Sequence, residues 1–326
     1  MIDISVNYLG LSLRSPFIAA SSGYTADIDK MIALAHSGVG AIVLKSLFEE
    51  QINSEADFIQ SQSVEYPENA DFINRYVTAH SVEKYITLIK EAKKKCGIPI
   101  IGSINCFSSG KWTEFAREIE GAGADAIEVN IYSLPVSPFK SSIEIENTYK
   151  EIVKDISKSV KIPVSVKIGC EFTNLAQFVS SLRSYGASGV TLFNRFYMPD
   201  ISLKSLKIVP ASPFSGKHEY IKELRWIAII SALVRKLDLS ASTGVHDTNS
   251  AIKLLLSGAK TVQLCSVLYQ QGPFVVATFI EELKWFMECK GFKKMSDFIG
   301  LLNYSQIEHP EMFERVQFLK VAEKQK

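Results

Sequence analysis

One pattern recurs four times and restricts the fold of this chain more than any other feature. Residues 37–46 (SGVGAIVLKS), 121–130 (GAGADAIEVN), 185–194 (YGASGVTLFN) and 257–266 (SGAKTVQLCS) share it. Each has a glycine with a small residue, then a short apolar run, then a polar side chain. Glycine after an amphipathic stretch marks a helix end, where a residue without Cβ takes left-handed backbone at low cost. The short apolar run that follows reads as a strand buried on both faces. Residues 16–20 precede the first repeat, and 98–105, 162–167 and 237–243 lie between the repeats, again short apolar strands followed by or ending in polar residues. That makes eight strand–helix units in register. Repetition at this spacing predicts an α/β chain folded as a (β/α)8 barrel. A doubly wound open sheet is the competing architecture. It is disfavoured because no GxGxxG follows the first strand and the repetition continues to the eighth.

The remaining segments decorate that barrel. Residues 2–6 and 11–13 flank Asn7-Tyr8-Leu9-Gly10 and predict a short hairpin that caps the bottom. Two long stretches follow strands and so fall on the C-terminal face: 48–77, expected as a lid over the substrate, and 194–220, punctuated by Pro199, Pro210, Pro213 and Gly216. Residues 281–289 have amphipathic helical spacing, and 303–326 form a polar C-terminal extension. The whole chain, 1–326, is taken as one barrel domain.

Composition excludes several functions. A net charge of +1 offers no electrostatic case for nucleic acid or an anionic membrane. No run of about 18 apolar residues exists, so no membrane span is expected, and the N-terminus has no basic start or long apolar core of a signal peptide. The 5 cysteines are odd in number, widely spaced and never in a CxxC pair. That argues against a disulfide framework or a protein-held metal site and fits the cytoplasm.

A barrel gathers its strand ends into one ring. Here the ring would hold Ser21, Ser22, Lys45, Ser46, Asn105, Asn130, Ser133, Lys167, Asn194, Thr243, Gly244, Cys265 and Ser266. It lacks the carboxylate pair of a glycosidase and the ligand set of a metal hydrolase, so no metal is expected. Amides and hydroxyls suit hydrogen bonding to a flat heterocycle, and lysines suit anionic oxygens. Small turns after the seventh and eighth strands, Thr243-Gly244 with its glycine and Cys265-Ser266, suit a phosphate. Residues 125–135 place Asn130 and Ser133 at the mouth of a central strand. His246 either lines the phosphate loop or stands on the surface at a helix start. Asn105 and Ser46 have plain helix-capping roles as their alternative. Cys106, Cys170 and Cys265 read as small packing residues.

In these residues the chain resembles the dihydroorotate dehydrogenase superfamily of FMN-dependent barrels. The likeness runs from the hairpin to about Gly291. Ser21-Ser22-Gly23 stands where the family has an Ala-Ser-Gly turn against the flavin, and Lys45-Ser46, Val166-Lys167 and Asn194 match its second, fifth and sixth strand ends. Asn130-Ile131-Tyr132-Ser133-Leu134-Pro135 keeps the family's Asn and a Ser at the base position, with the Pro displaced by one. Thr243-Gly244 keeps one of two phosphate-loop glycines. The family substrate loop, Asn-Ser-Met-Gly-Leu-Pro-Asn, is not reproduced near 64–69, and Arg195 replaces a Ser or Thr. The stretch Asn194-Arg195-Phe196-Tyr197 recurs in a divergent branch of the family.

The resemblance implies FMN as cofactor and oxidation of dihydroorotate to orotate. Ser133 would take a proton and Lys167 would sit by the flavin N1–C2=O edge. Ser21, Ser22, Lys45, Ser46, Asn105, Asn130, Thr243, Gly244, Cys265 and Ser266 would join Lys167 in holding the cofactor. Lys45, Asn130, Asn194 and Arg195 would meet the substrate. Arg195 has two readings: it binds an acidic substrate, or it pairs with a carboxylate of a covering loop. A homodimer is implied, and NAD use would need a separate electron-transfer subunit. Two alternatives stand beside this activity: an FMN oxidoreductase for another cyclic amide or enone, and a silent flavin-binding or assembly subunit.

Overall fold

Short runs of apolar, mostly β-branched residues become the strands, because eight such runs can bury both faces only if helices cover the sheet they form. The computed structural model describes residues 2–48, 69–105, 112–131, 134–196 and 198–314. A hairpin of β1 (Val6–Tyr8) and β2 (Leu11–Leu13) comes first. It turns through Leu9 and Gly10, both with positive φ, as the tightest hairpin turns require. The barrel follows as β3 (Phe17–Ala19), helix α1 (Ile28–Ser37) and β4 (Ala41–Val43). A short strand, β5 (Leu47–Phe48), leads to helix α2 (Asn69–Cys96). Next come β6 (Ile100–Asn105), α3 (Trp112–Gly121), β7 (Ala126–Asn130), α4 (Ser142–Ser159) and β8 (Val164–Ile168). Then follow α5 (Leu175–Ser184), β9 (Gly189–Leu192), β10 (Pro199–Ser202), β11 (Lys207–Pro210) and α6 (Tyr220–Leu233). The last units are β12 (Asp238–Ser242), α7 (Thr248–Ser257), β13 (Thr261–Leu264), α8 (Ser266–Gln271) and α9 (Val275–Lys290).

Among the described residues, β3, β4, β6, β7, β8, β9, β12 and β13 pair in parallel in that order, and β13 returns to β3. The barrel is closed, as the eight units predict, so these strands leave no free edge. The repeated glycine has a local cause. Gly38 closes α1 at φ 102 and donates its N–H to the carbonyls of Leu34 and Ala35.

The hairpin does plug the bottom. The Tyr8 hydroxyl lies 3.3 Å from Ser165 Oγ of β8, and the Leu9 N–H donates to Asp238 Oδ2 at 2.7 Å. Burial pushes the Tyr8 phenol far up, and the Glu128 charge adds to it, while hydrogen bonds from Ser165 and Thr191 offset part of the rise.

Three expectations change. Of the lid stretch 48–77, residues 49–68 lie outside the described residues, and helix α2 already runs from Asn69. Residues 194–220 are not plain loop: they carry the antiparallel pair β10–β11, with Ile201, Leu203, Leu206 and Ile208 exposed. The C-terminal extension docks part of itself, since the Tyr304 N–H donates to Ala228 O of α6, and residues 311–314 form a turn of helix. Its remainder, 315–326, lies outside the described residues.

Candidate active site

The C-terminal strand ends converge on one cavity. Ser21, Lys167, Asn194, Arg195, Thr243, Gly244, Cys265 and Ser266, all expected site residues, line it together with Ser215, Ser242 and Gln263. Ser22, Lys45, Ser46, Asn105 and Asn130 stand outside this lining among the described residues. Ser133, the expected base, lies outside the described residues, as does Cys106.

Lys167 sits at the end of β8, 6% exposed. Its Nζ donates to Gln263 Oε1 at 3.0 Å and lies 4.0 Å from Glu128 Oε1. Gln263 Nε2 donates in turn to Glu128 Oε2 at 2.6 Å, and the Thr191 hydroxyl donates to the same oxygen at 2.9 Å. Glu128 is 1% exposed. Each charge is tolerable there because the other is near; an unpaired buried ion costs several kcal/mol. Sequence reasoning missed Glu128 and Gln263. The signal was present: each stands two residues before a polar strand end, Asn130 and Cys265, and so faces the same side of its strand.

Beside this pair the hydroxyls form a chain. Ser21 Oγ lies 3.0 Å from Ser46 Oγ, which lies 2.7 Å from Ser103 Oγ. Tyr85 fixes the chain's far end by accepting the Ser103 N–H at 2.7 Å and donating to the Ser103 carbonyl at 3.1 Å. Ser22 caps the short 3-10 turn Gly23–Ala26, accepting the Tyr24 N–H. Asn194 Nδ2 donates to Asn130 Oδ1 at 2.8 Å, so the two asparagines act as one unit, with Asn130 across from Lys167 in the β7–β8 register. Asn105 is Asn130's partner in the β6–β7 register.

The loop after β12 turns through left-handed backbone. Thr243 and Gly244 have φ of 86 and 76. The N–H groups of Gly244 and Val245 have no hydrogen-bond partner among the described residues, although both residues are buried. Both residues line the cavity, so these N–H groups are available to an acceptor bound there. Gly244 is also demanded by packing, since a Cβ there would stand 2.3 Å from the Tyr220 N at the start of α6. Over this loop lies Ser215 of the 194–220 stretch. Its N–H donates to Ser266 Oγ at 3.0 Å, and its hydroxyl lies 3.0 Å from His246 Nε2. His246 is therefore buried at the loop, and its surface alternative falls.

A family model described as dihydroorotate dehydrogenase matches residues 3–287. The chain belongs to the dihydroorotate dehydrogenase family. It is an oxidoreductase acting on a CH–CH bond. The chain is 26% identical over 314 residues to the catalytic subunit of dihydroorotate dehydrogenase B (NAD(+)) from Thermoplasma volcanium, covering 92% of this chain and 99% of that one. A putative dihydroorotate dehydrogenase A (fumarate) from Aeropyrum pernix is 25% identical, over 91% of this chain and 97% of its own. The PreA subunit of the NAD-dependent dihydropyrimidine dehydrogenase of Escherichia coli is 23% identical, over 92% of this chain and 77% of its own.

Within this dihydroorotate dehydrogenase family site, Arg195 is engaged. Its Nε donates to Glu219 Oε2 at 3.1 Å, and its Nη1 donates to the carbonyls of Ser212 and Pro213. Burial pushes the Cys265 thiol up, only partly offset by the Lys167 charge and a hydrogen bond with Ser22. A raised thiol is a poor nucleophile, which agrees with its packing role. The donor set that lines the cavity, an ammonium and amides together with unpartnered N–H groups and hydroxyls, fits a flat heterocycle carrying an anionic tail.

Proposed function

We propose that this chain is an FMN-dependent dehydrogenase that oxidises dihydroorotate to orotate, a step of pyrimidine biosynthesis, in the cytoplasm. The observation that carries the reading is one cavity lined both by Lys167 with Gln263 and by the Thr243–Gly244–Val245 loop with its free N–H groups. When bound, FMN supplies the hydride acceptor. Lys167 would offer positive charge to the ring edge that gains electron density, and the 243–245 loop with Ser266 would hold the phosphate. Ser21, Ser22, Ser46, Asn105 and Cys265 would shape the ring's bed. Asn130 and Asn194, locked together, would present amide groups to a cyclic amide, with Lys45 beside them for a carboxylate. Ser133 would remove the proton, through a water or neighbour because a serine hydroxyl is a weak base. Residues 48–77 would close over the substrate as part of a single barrel domain.

Free cysteines at Cys96, Cys170, Cys265 and Cys289 support a reducing compartment. Two of the relatives are named as subunits, which supports a separate electron-transfer partner; a homodimer is proposed as the core of that assembly. The Arg195–Glu219 pair favours a second reading. It engages the guanidinium that an acidic substrate would otherwise meet. A neutral dihydropyrimidine would then suit the site better than an acid. FMN binding is tested by fluorescence quenching: Lys167→Met should weaken it at least about tenfold, roughly 1.4 kcal/mol. Unchanged affinity would refute the assigned cradle. Anaerobic reduction by 5,6-dihydrouracil but not dihydroorotate would select the second reading.

A further inference from the structure

Glu128 has no place in the proposed chemistry, yet its surroundings are specific. It stands on β7 one layer below Asn130, across from Ser165 in the β7–β8 register, whereas Asn130 is across from Lys167. Its Oε2 is held by Gln263 at 2.6 Å and Thr191 at 2.9 Å. Its Oε1 has no hydrogen-bond partner among the described residues and faces Lys167 Nζ at 4.0 Å. The amide of Gln263 lies between the two charges. Its oxygen accepts from Lys167 and its nitrogen donates to Glu128, an orientation that the opposite charges at its two ends enforce. Gln263 and Lys167 line the cavity; Glu128 lies behind them.

We propose that Glu128 is a positioning residue for the flavin site: through Gln263 and across the gap to Lys167 it fixes the ammonium at the cavity wall and offsets part of its charge, and so sets how strongly the site favours reduced flavin. This rests on the FMN reading above. Two features distinguish it from a purely structural pair. The carboxylate is absent from the cavity lining, so it touches no bound group and acts by setting where Lys167 and Gln263 stand. It also keeps one oxygen unbonded toward the lysine, where a residue serving only the fold would be satisfied at both. A carboxylate that draws a cation back into the cavity wall, directly and through the intervening amide, weakens that cation's hold on any anion in front of it. Reduced flavin carries more negative charge than oxidised flavin, so Glu128 lowers the potential that Lys167 alone would give.

The test measures midpoint potentials by dye equilibration at one fixed pH. Wild type, Glu128→Gln, Lys167→Met and the double variant are compared under saturating FMN. Fluorescence titration reports FMN binding, and thermal melting reports folding. Glu128→Gln should favour reduced flavin at least about tenfold, which is about 30 mV for a two-electron couple. In the Lys167→Met background the same change should move the reduced-to-oxidised ratio by less than about twofold. Where Glu128→Gln fails to accumulate folded protein, Glu128→Met serves, with the same expectation. An unchanged potential with Lys167 present overturns the proposal, and so does an equal shift without Lys167. Loss of stability with no change of potential assigns Glu128 to the fold alone. Wild type that binds no FMN overturns the cofactor reading itself, and this proposal with it; wild type that binds FMN but ignores Glu128 overturns only this proposal.

Discussion

Replacing Glu223 by Met should stabilise the protein in a way that grows with pH. Glu223 shares a face of helix α6 with Ile227, Ala228 and Ile230, is 3% exposed, and has no hydrogen-bond partner for Oε2 among the described residues. Burial pushes its carboxyl up from 4.5 to about 8; its own backbone N–H and the Lys222 charge pull the other way, and Glu219 adds to the rise. The folded value lies above the unfolded one. Between about pH 4.5 and 8 the folded chain therefore holds a proton that the unfolded chain has released, and stability falls as pH rises through that window. Above about 8 the contribution is level. At about 1.36 kcal/mol for each pH unit, the loss between pH 5 and 8.5 is about 4 kcal/mol. Methionine has a similar volume and no charge, so Glu223→Met should lie within about 1.5 kcal/mol of wild type at pH 5. Urea unfolding of both proteins at the two pH values isolates the residue, because every other titration cancels in the difference. An advantage for Glu223→Met that rises by about 4 kcal/mol supports the assignment. An advantage identical at both pH values would show that Glu223 is ionised at its ordinary pH in the fold, and would refute it.

Four further outcomes are expected. Lys167→Met leaves Glu128 as an unpaired buried charge and should cost about 3–5 kcal/mol in denaturant unfolding, most of it regained when Glu128→Gln is added. Gly244→Ala must hold φ near 76 and bring a Cβ against Tyr220; a loss of roughly 1–3 kcal/mol and weakened FMN binding are expected, and a neutral result would show that the loop moves freely. Arg195→Ala breaks the Glu219 ion pair and should cost about 1 kcal/mol in stability. If Arg195 also receives a substrate carboxylate, KM should rise for dihydroorotate and not for 5,6-dihydrouracil. Tyr85→Phe removes both hydrogen bonds to the Ser103 backbone and should lower unfolding free energy by about 1–3 kcal/mol, with the Ser103 N–H left buried.

The barrel was legible because its signals are local. Each strand is a short apolar run after a glycine that closes a helix, and periodicity needs no knowledge of distant residues. The strand-end ring was legible for the same reason: register follows from the repeat, so Lys167, Asn194, Thr243 and Ser266 reach one cavity. Glu128 was hidden inside an otherwise apolar strand, and the residue that ties it to Lys167, Gln263, is 135 positions away in sequence. His246 kept two readings because a histidine before a helix cap is ordinarily exposed; its contact with Ser215 comes from an insertion of no clear periodicity. The β10–β11 pair escaped because its strands are exposed and bounded by prolines, so neither face shows alternation. Helix α2 extends further toward the N-terminus than expected because residues 69–77 are polar enough to read as loop.

The central claim is that the cavity at the strand ends holds a flavin that dihydroorotate reduces. An anaerobic visible spectrum of the FMN-loaded protein, before and after L-dihydroorotate is added, tests it most directly. The yellow flavin bands should bleach, and they should persist in Lys167→Met under the same conditions. Bands that are present in the wild type and do not bleach would contradict the substrate. A protein that retains no flavin would contradict the site itself.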